Sequence, residues 1–183
     1  MGGPVHLAPT NAQNRDMTQQ IELTTAERLE AIESIKRVFA RRLRCLDEKE
    51  WDVYPTLHTE DVVSETWADA SEDRRPSTDG VSNRVVGRDR LRDTISSLLD
   101  GDVKITTVHH AHTPEIELLS DTTARGTWAM EDHLWWHNGN VEEHLHGFGH
   151  YHEEYRKVDG EWLISYRSLS RIRVDKTPGF DER

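Results

Sequence analysis

Two tight-turn signals in the second half of this chain constrain its fold more than any other feature. Asn138-Gly139 and Asp159-Gly160 each join two long segments of alternating character. Asn-Gly and Asp-Gly accept the positive φ that two-residue hairpins require, so they mark hairpins when such segments flank them. The expected strands are 103–118, 122–137, 141–157 and 161–174, with Ser120-Asp121 as the remaining turn. Strands joined this tightly run antiparallel.

The first half carries a helical period instead. Thr24-Thr25-Ala26-Glu27 has the form of a capping box, with the hydroxyl at the cap and the carboxylate three residues on. Leu29, Ile32, Ile35, Phe39, Leu43 and Leu46 follow at steps of three and four, which is one apolar stripe on a long helix. A second, short helix is expected over 48–57 and a strand over 61–67. A polar loop holding Pro76 and Gly80 follows over 69–82. A third helix opens at Gly87-Arg88 and ends at Gly101. Helices followed by a long meander predict an α+β fold, with three N-terminal helices packed on a curved, mixed, mostly antiparallel sheet. Such a sheet curled over helices leaves a cone-shaped cavity where a small ligand would sit. Residues 1–22 read as a loosely held polar arm, 23–174 as one domain and 175–183 as a C-terminal tail.

Charge narrows the partners. The 183 residues carry a formal net charge of −11 and a pI near 5.4. Phosphate backbones and anionic membrane surfaces are bound through Lys and Arg, so neither partner is expected. No stretch has the length and apolarity of a membrane span or a signal peptide. Cys45 is the single cysteine, which rules out an intramolecular disulfide and fits a cytoplasmic setting.

The residues with chemical potential are few. Asp47 ends the long helix in Leu46-Asp47-Glu48-Lys49-Glu50-Trp51, and His109 opens a strand in Thr107-Val108-His109-His110. A carboxylate bonded to one imidazole nitrogen fixes the tautomer, and the other nitrogen then serves as a base. Asp47 also has a plain structural reading, because Asp47 with Glu50 is itself a capping box for the second helix. Both readings stand at this level. Nine of the eleven histidines lie between His109 and His152, and His144-x-His146 and His150-x-His152 share one strand face. No carboxylate or cysteine is spaced along the chain to complete a ligand set, so no metal site is expected. The adjacent Trp135 and Trp136 must point to opposite faces. One of them is expected to be covered by a second copy, in a homodimer or homotrimer.

Four patterns together carry a resemblance. They are Leu46-Asp47-Glu48-Lys49-Glu50-Trp51; Thr59-Glu60-Asp61-Val62; Val86-Gly87-Arg88-Asp89 with Val108-His109-His110 after it; and Gly149-His150-Tyr151-His152-Glu153-Glu154-Tyr155 with Asp159-Gly160-Glu161-Trp162 and Arg167. In this order and spacing the chain resembles the SnoaL-like group of the nuclear transport factor 2-like superfamily, over roughly residues 25–172. That superfamily includes scytalone dehydratase, dehydrochlorinases, isomerases, polyketide cyclases, epoxide hydrolases and non-catalytic binding subunits. The resemblance implies a cofactor-independent, dehydratase-like lyase or isomerase without a metal. Its catalytic pair would be Asp47 and His109, acting on a small, largely apolar oxygenated or cyclic substrate. It implies substrate contacts at Arg167, His133 and Asp132, with Trp128, Trp67, Phe148 and Tyr151 lining the pocket. The chain also departs from the pattern. Leu46 stands where scytalone dehydratase has a tyrosine, its second catalytic tyrosine falls near Thr66 or Trp67, and Thr113 replaces a common asparagine. The substrate of scytalone dehydratase itself is therefore not expected.

Overall fold

The computed structural model describes residues 23–66 and 84–182. The first helix, α1 (Thr25–Glu48), starts where the capping box places it. The Glu27 amide donates to the Thr24 hydroxyl at 3.3 Å, and the Thr24 amide donates to the Glu27 carboxylate at 2.8 Å. Ile35, Phe39, Leu43 and Leu46 of the apolar stripe are buried, and Leu29 is exposed near the start of the helix.

The expected second helix does not form. Lys49 takes a left-handed conformation (φ 59°, ψ 36°) and sends its amide back to the Cys45 carbonyl, which turns the chain out of the helix axis. Only a single 3-10 turn, Tyr54–Leu57, survives of it, with Pro55 at its start. Glu50, the other half of the supposed cap, instead pairs with Arg41 at 2.7 Å. The helices therefore number two among the described residues, the second being α2 (Arg88–Asp100).

The sheet has seven strands: β1 (His58–Thr66), β2 (Val85–Val86), β3 (Thr106–Ala111), β4 (Glu115–Leu118), β5 (Thr123–Asn138), β6 (Val141–Val158) and β7 (Glu161–Lys176). Their order is β2-β1-β7-β6-β5-β3, with β4 also on β5. It is mixed, because β1 runs parallel to β7 while the other pairs are antiparallel. The expected strand 103–118 is split in two at His112-Thr113-Pro114, where proline has no amide to give to the ladder. Both pieces still pair with β5.

The turns decide the long hairpins. Asp159 and Gly160 both have positive φ (51° and 89°), the pattern of a type I′ turn between Val158 and Glu161. At the other hairpin Asn138 pairs with Val141, so Gly139 and Asn140 are the central residues and only Gly139 (φ 62°) is positive. The turn is thus one residue later than the Asn-Gly signal suggests.

The inner face of the sheet packs on the helices. Trp128, Met130 and Trp136 of β5 point there, with Tyr151 and Tyr155 of β6 and Ile164 and Leu169 of β7. β7 continues past residue 174 to Lys176, and Phe180 is buried beyond it with its carbonyl accepting from the Trp136 indole at 3.2 Å. The core also holds charge. Arg42 and Glu153 are fully buried at 3.1 Å, and Glu153 accepts from the Tyr155 hydroxyl at 2.7 Å. The Arg42 guanidinium lies over the Phe39 and Tyr151 rings at 5.0 and 4.7 Å. Burial works against its charge, but Glu153 and the surrounding rings overcome this and raise its pKa. Among the described residues, no helix is long and apolar enough to cross a membrane.

Candidate active site

Asp47 hangs from the last turn of α1, on the stripe that also presents Phe39 and Leu43. The step of four residues puts all three on the face that meets β3 and β5. On β3, Thr107 and His109 are two residues apart and so share the inner face. This brings together partners 62 residues apart. His109 Nδ1 lies 2.6 Å from Asp47 Oδ1, and the His109 amide donates to Asp47 Oδ2 at 3.0 Å. The Thr107 hydroxyl donates to Asp47 Oδ1 at 2.9 Å. Lys49 is tied behind it, its ammonium donating to Thr107 Oγ1 at 3.1 Å and to the Leu46 carbonyl at 3.0 Å. Asp47 is thus a helical residue bonded across to a strand, and the capping geometry is not the one adopted.

The electrostatics follow from this geometry. Burial alone would raise the Asp47 pKa, but the donors on His109 and Thr107 outweigh it and hold the carboxyl below the ordinary value. Burial lowers the Lys49 pKa. An ionised carboxylate can only accept, so the ring proton sits on Nδ1. Nε2 of His109 is then a bare lone pair, and it has no hydrogen-bond partner among the described residues. The ring itself is 8% exposed and borders an open cleft of about 480 Å³. Phe39, Leu43, Ala111 and Trp128 supply its apolar wall. Phe39 and Trp128 stack at 3.7 Å with their planes 3° apart, and the Trp128 indole donates to Tyr155 at 3.0 Å. A base beside an apolar cleft wall is equipped to take a proton from a largely apolar molecule.

The other expected contacts scatter. Trp128 borders the cleft with His109. Asp132 is paired with His109 in the sheet and faces inward, but both its oxygens are taken by Arg171 at 2.7 Å each. Tyr151 is buried in the core against Phe39. Arg167 is buried as well, donating to Ser64 at 3.2 Å with its guanidinium 5.6 Å from the Tyr151 ring, and it is not part of the cleft wall. His133 and Phe148 are not brought to the site. Directly paired residues share a face, and His109 pairs with Asp132, so the neighbouring His133 points to the outer face. Phe148 pairs with Glu131 on that same outer face. Trp67 and the loop 69–82 lie outside the described residues, as does the arm 1–22.

Sequence reasoning missed Thr107, Lys49, Phe39 and Arg171. Thr107 and Phe39 had a usable signal, the strand step of two from His109 and the helix step of eight from Asp47. Arg171 had none, because its pairing with Asp132 depends on β7 and β5 both flanking β6.

Comparison with known proteins follows the same lines. A family model described as a SnoaL-like domain matches residues 27–168. A solved structure described as a candidate scytalone dehydratase from Novosphingobium aromaticivorans superposes with a TM-score of 0.65 at 21% identity, over 83% of this chain and 91% of that one. A type 3 hexachlorocyclohexane dehydrochlorinase from Novosphingobium barchaimii gives 0.68 at 15% identity, over 86% of this chain and 97% of the other. A Mycobacterium tuberculosis protein of unknown function gives 0.60 at 23% identity, over 81% and 75%. At these identities the likeness is one of fold.

Proposed function

Because this chain belongs to the SnoaL-like family of the nuclear transport factor 2-like superfamily, we propose that it is a cofactor-independent lyase or isomerase that moves a proton with Asp47 and His109. The observation that carries this reading is the 2.6 Å contact between His109 Nδ1 and Asp47, with Nε2 left bare beside the cleft. In the proposed reaction Nε2 takes a proton from a carbon beside a carbonyl. The electron pair of the broken C–H bond forms the enolate. Asp47 stabilises the imidazolium that results. In an elimination the enolate then collapses to C=C–C=O as the β-hydroxyl leaves, and the imidazolium returns its proton to that hydroxyl as water. In an isomerisation the same proton goes back to a different carbon. The substrate is a small, largely apolar oxygenated or cyclic molecule that lies along Phe39 and Trp128.

Arg42 and Arg167 sit deeper, both over the Tyr151 ring. In this reading Arg167 supplies positive potential beneath the cleft rather than a direct contact, the charge of Arg42 being offset by Glu153. The test is a panel of cyclic ketones and β-hydroxyketones, followed by mass spectrometry for deuterium uptake in D₂O and for loss of water. Turnover by the native chain that His109→Ala abolishes supports the proposal. Equal turnover by His109→Ala defeats it.

A second reading is non-catalytic binding of the same ligand class on this fold. It is favoured by the cleft being open among the described residues, since proton-transfer sites gain from excluding water. Under that reading a ligand found by the panel binds with equal affinity to the native chain and to His109→Ala, and neither changes it.

A further inference from the structure

The outer face of the sheet holds a histidine cluster that the proton-transfer reading does not use. β5 places Glu131, His133 and Trp135 on that face, and β6 places His144, His146 and Phe148 there. The register sets His133 opposite His146 and Trp135 opposite His144, while His110 of β3 sits opposite Glu131. One ligand atom from each of Glu131, His133 and His146 lies within 4.8 Å of the other two, and all three residues are half-buried.

The contacts around these three residues are ordered. Glu131 Oε2 is 3.2 Å from His146 Nε2, while its Oε1 is 3.4 Å from His110 Nδ1. His133 Nδ1 is 3.1 Å from His144 Nε2. His110 thus holds the far oxygen of Glu131, and His144 holds one nitrogen of His133, leaving Nε2 of that ring to a further partner. Imidazole and carboxylate ligands held from behind by a second partner are what metal sites use to orient their donors. Two donors on one tetrahedral zinc, each about 2.0–2.1 Å from it, lie roughly 3.3 Å apart. The Glu131–His146 separation already has that value. The His133 ring is stacked on His146 with centroids 3.7 Å and planes 25° apart, so it has to tilt as well as turn for one ion to lie in the plane of both rings.

We infer that Glu131, His133 and His146 bind a divalent d-block cation of the zinc class, through two imidazoles and one carboxylate, with the remaining positions taken by water. Imidazole donors select such ions over magnesium and calcium, which favour all-oxygen sets. The site lies on the face opposite His109, so it cross-links β5 to β6 and stabilises the sheet without entering the proton transfer. It was hidden in the sequence because Glu131 and His146 are 15 residues apart and meet only through the hairpin register.

The test uses the full chain stripped with a chelator and titrated with zinc chloride by calorimetry. One saturating equivalent per chain is expected, with a rise in melting temperature from preferential binding to the folded state. His133→Ala and His146→Ala each weaken binding at least roughly tenfold. His112→Ala, an exposed histidine at the end of β3, leaves it unchanged. Circular dichroism checks that the variants fold, and Glu131→Gln, which preserves shape, weakens binding likewise. Cobalt(II) added to the unaltered chain gives strong visible bands of a nitrogen-bearing, low-coordinate site, a readout that needs no variant. Three results each overturn the inference: no saturable binding, an equivalent that survives the loss of His133 and His146, or a cobalt spectrum no different from the aquo ion.

Discussion

Replacing Asp47 with asparagine removes one acceptor from a side chain that serves three donors. In the native chain Oδ1 accepts from the His109 ring at 2.6 Å and from Thr107 at 2.9 Å, and Oδ2 accepts from the His109 amide at 3.0 Å. An asparagine has one oxygen. Left in the Oδ1 position, that oxygen keeps the ring bond but turns the NH₂ group against the His109 amide, donor against donor. Flipped, the oxygen satisfies the amide, and the NH₂ group must donate to Nδ1. That forces the ring proton onto Nε2 and removes the base. The flipped state displaces only the Thr107 hydroxyl, which has the Leu46 carbonyl at 3.5 Å as another acceptor, so it wins. Its stability cost is the difference between a charged and a neutral hydrogen bond, about 1–1.5 kcal/mol. For a domain of this size that is a fall in melting temperature of roughly 2–6 °C. Activity suffers more, because the imidazolium loses its counter-charge and the resting tautomer is wrong. The first effect alone, about 1.5–3 kcal/mol, lowers kcat/KM by roughly ten- to a hundredfold, and the tautomer adds to it. The tautomer is readable without a substrate, from long-range ¹H–¹⁵N correlations of the His109 ring. Native protein should show the proton on Nδ1, and Asp47→Asn should show it on Nε2. An unchanged tautomer with an unchanged melting temperature refutes the argument.

Two further outcomes follow from buried groups. Cys45 is fully buried, and burial together with the neighbouring Glu50 pushes its thiol up to about 11. It should resist a thiol-specific reagent at pH 8 in the folded chain and react in full once denaturant is added. His58 is also fully buried, with Nδ1 donating to the Tyr54 carbonyl at 2.8 Å; burial first, then Arg42 and Arg167, lower its pKa to about 3. A folded pKa below the unfolded one means that unfolding takes up a proton in the interval between them. Stability should therefore fall as the pH drops from about 6.5 toward 3, by about 1.4 kcal/mol per unit from this one group. His58→Asn, which keeps the donor to Tyr54, should show a shallower pH dependence of melting over that interval. An equal slope in the two proteins sinks the assignment.

What could be read in advance, and what could not, divides by the range of the interaction. The start of α1 was legible because Thr24 and Glu27 are three residues apart and satisfy each other. The long hairpins were legible because positive φ at Asp159-Gly160 and Gly139 is a local demand that few residues meet. Asp47 and His109 could each be picked out, but not joined. Whether Asp47 turned back to cap the next segment or reached across to β3 was a choice between a partner three residues away and one 62 residues away. The left-handed turn at Lys49 removed the helix to be capped, and packing of α1 on β3 delivered the distant partner.

The face of each sheet residue was the least legible quantity of all. Alternation assigns neighbours to opposite faces without saying which face is inside, and a one-residue difference exchanges them. Hence His133 and Phe148, expected beside the substrate, stand on the outer surface. The same register gathers Glu131, His133 and His146 from two strands into one cluster. The sequence by itself determined α1, α2, the long hairpins and the α+β class, whose signals lie within a few residues of one another, but not the loss of the second helix or the break in the first expected strand. Only the tertiary structure decided which side chains meet, because strand register and helix docking are settled by burying the whole apolar face at once.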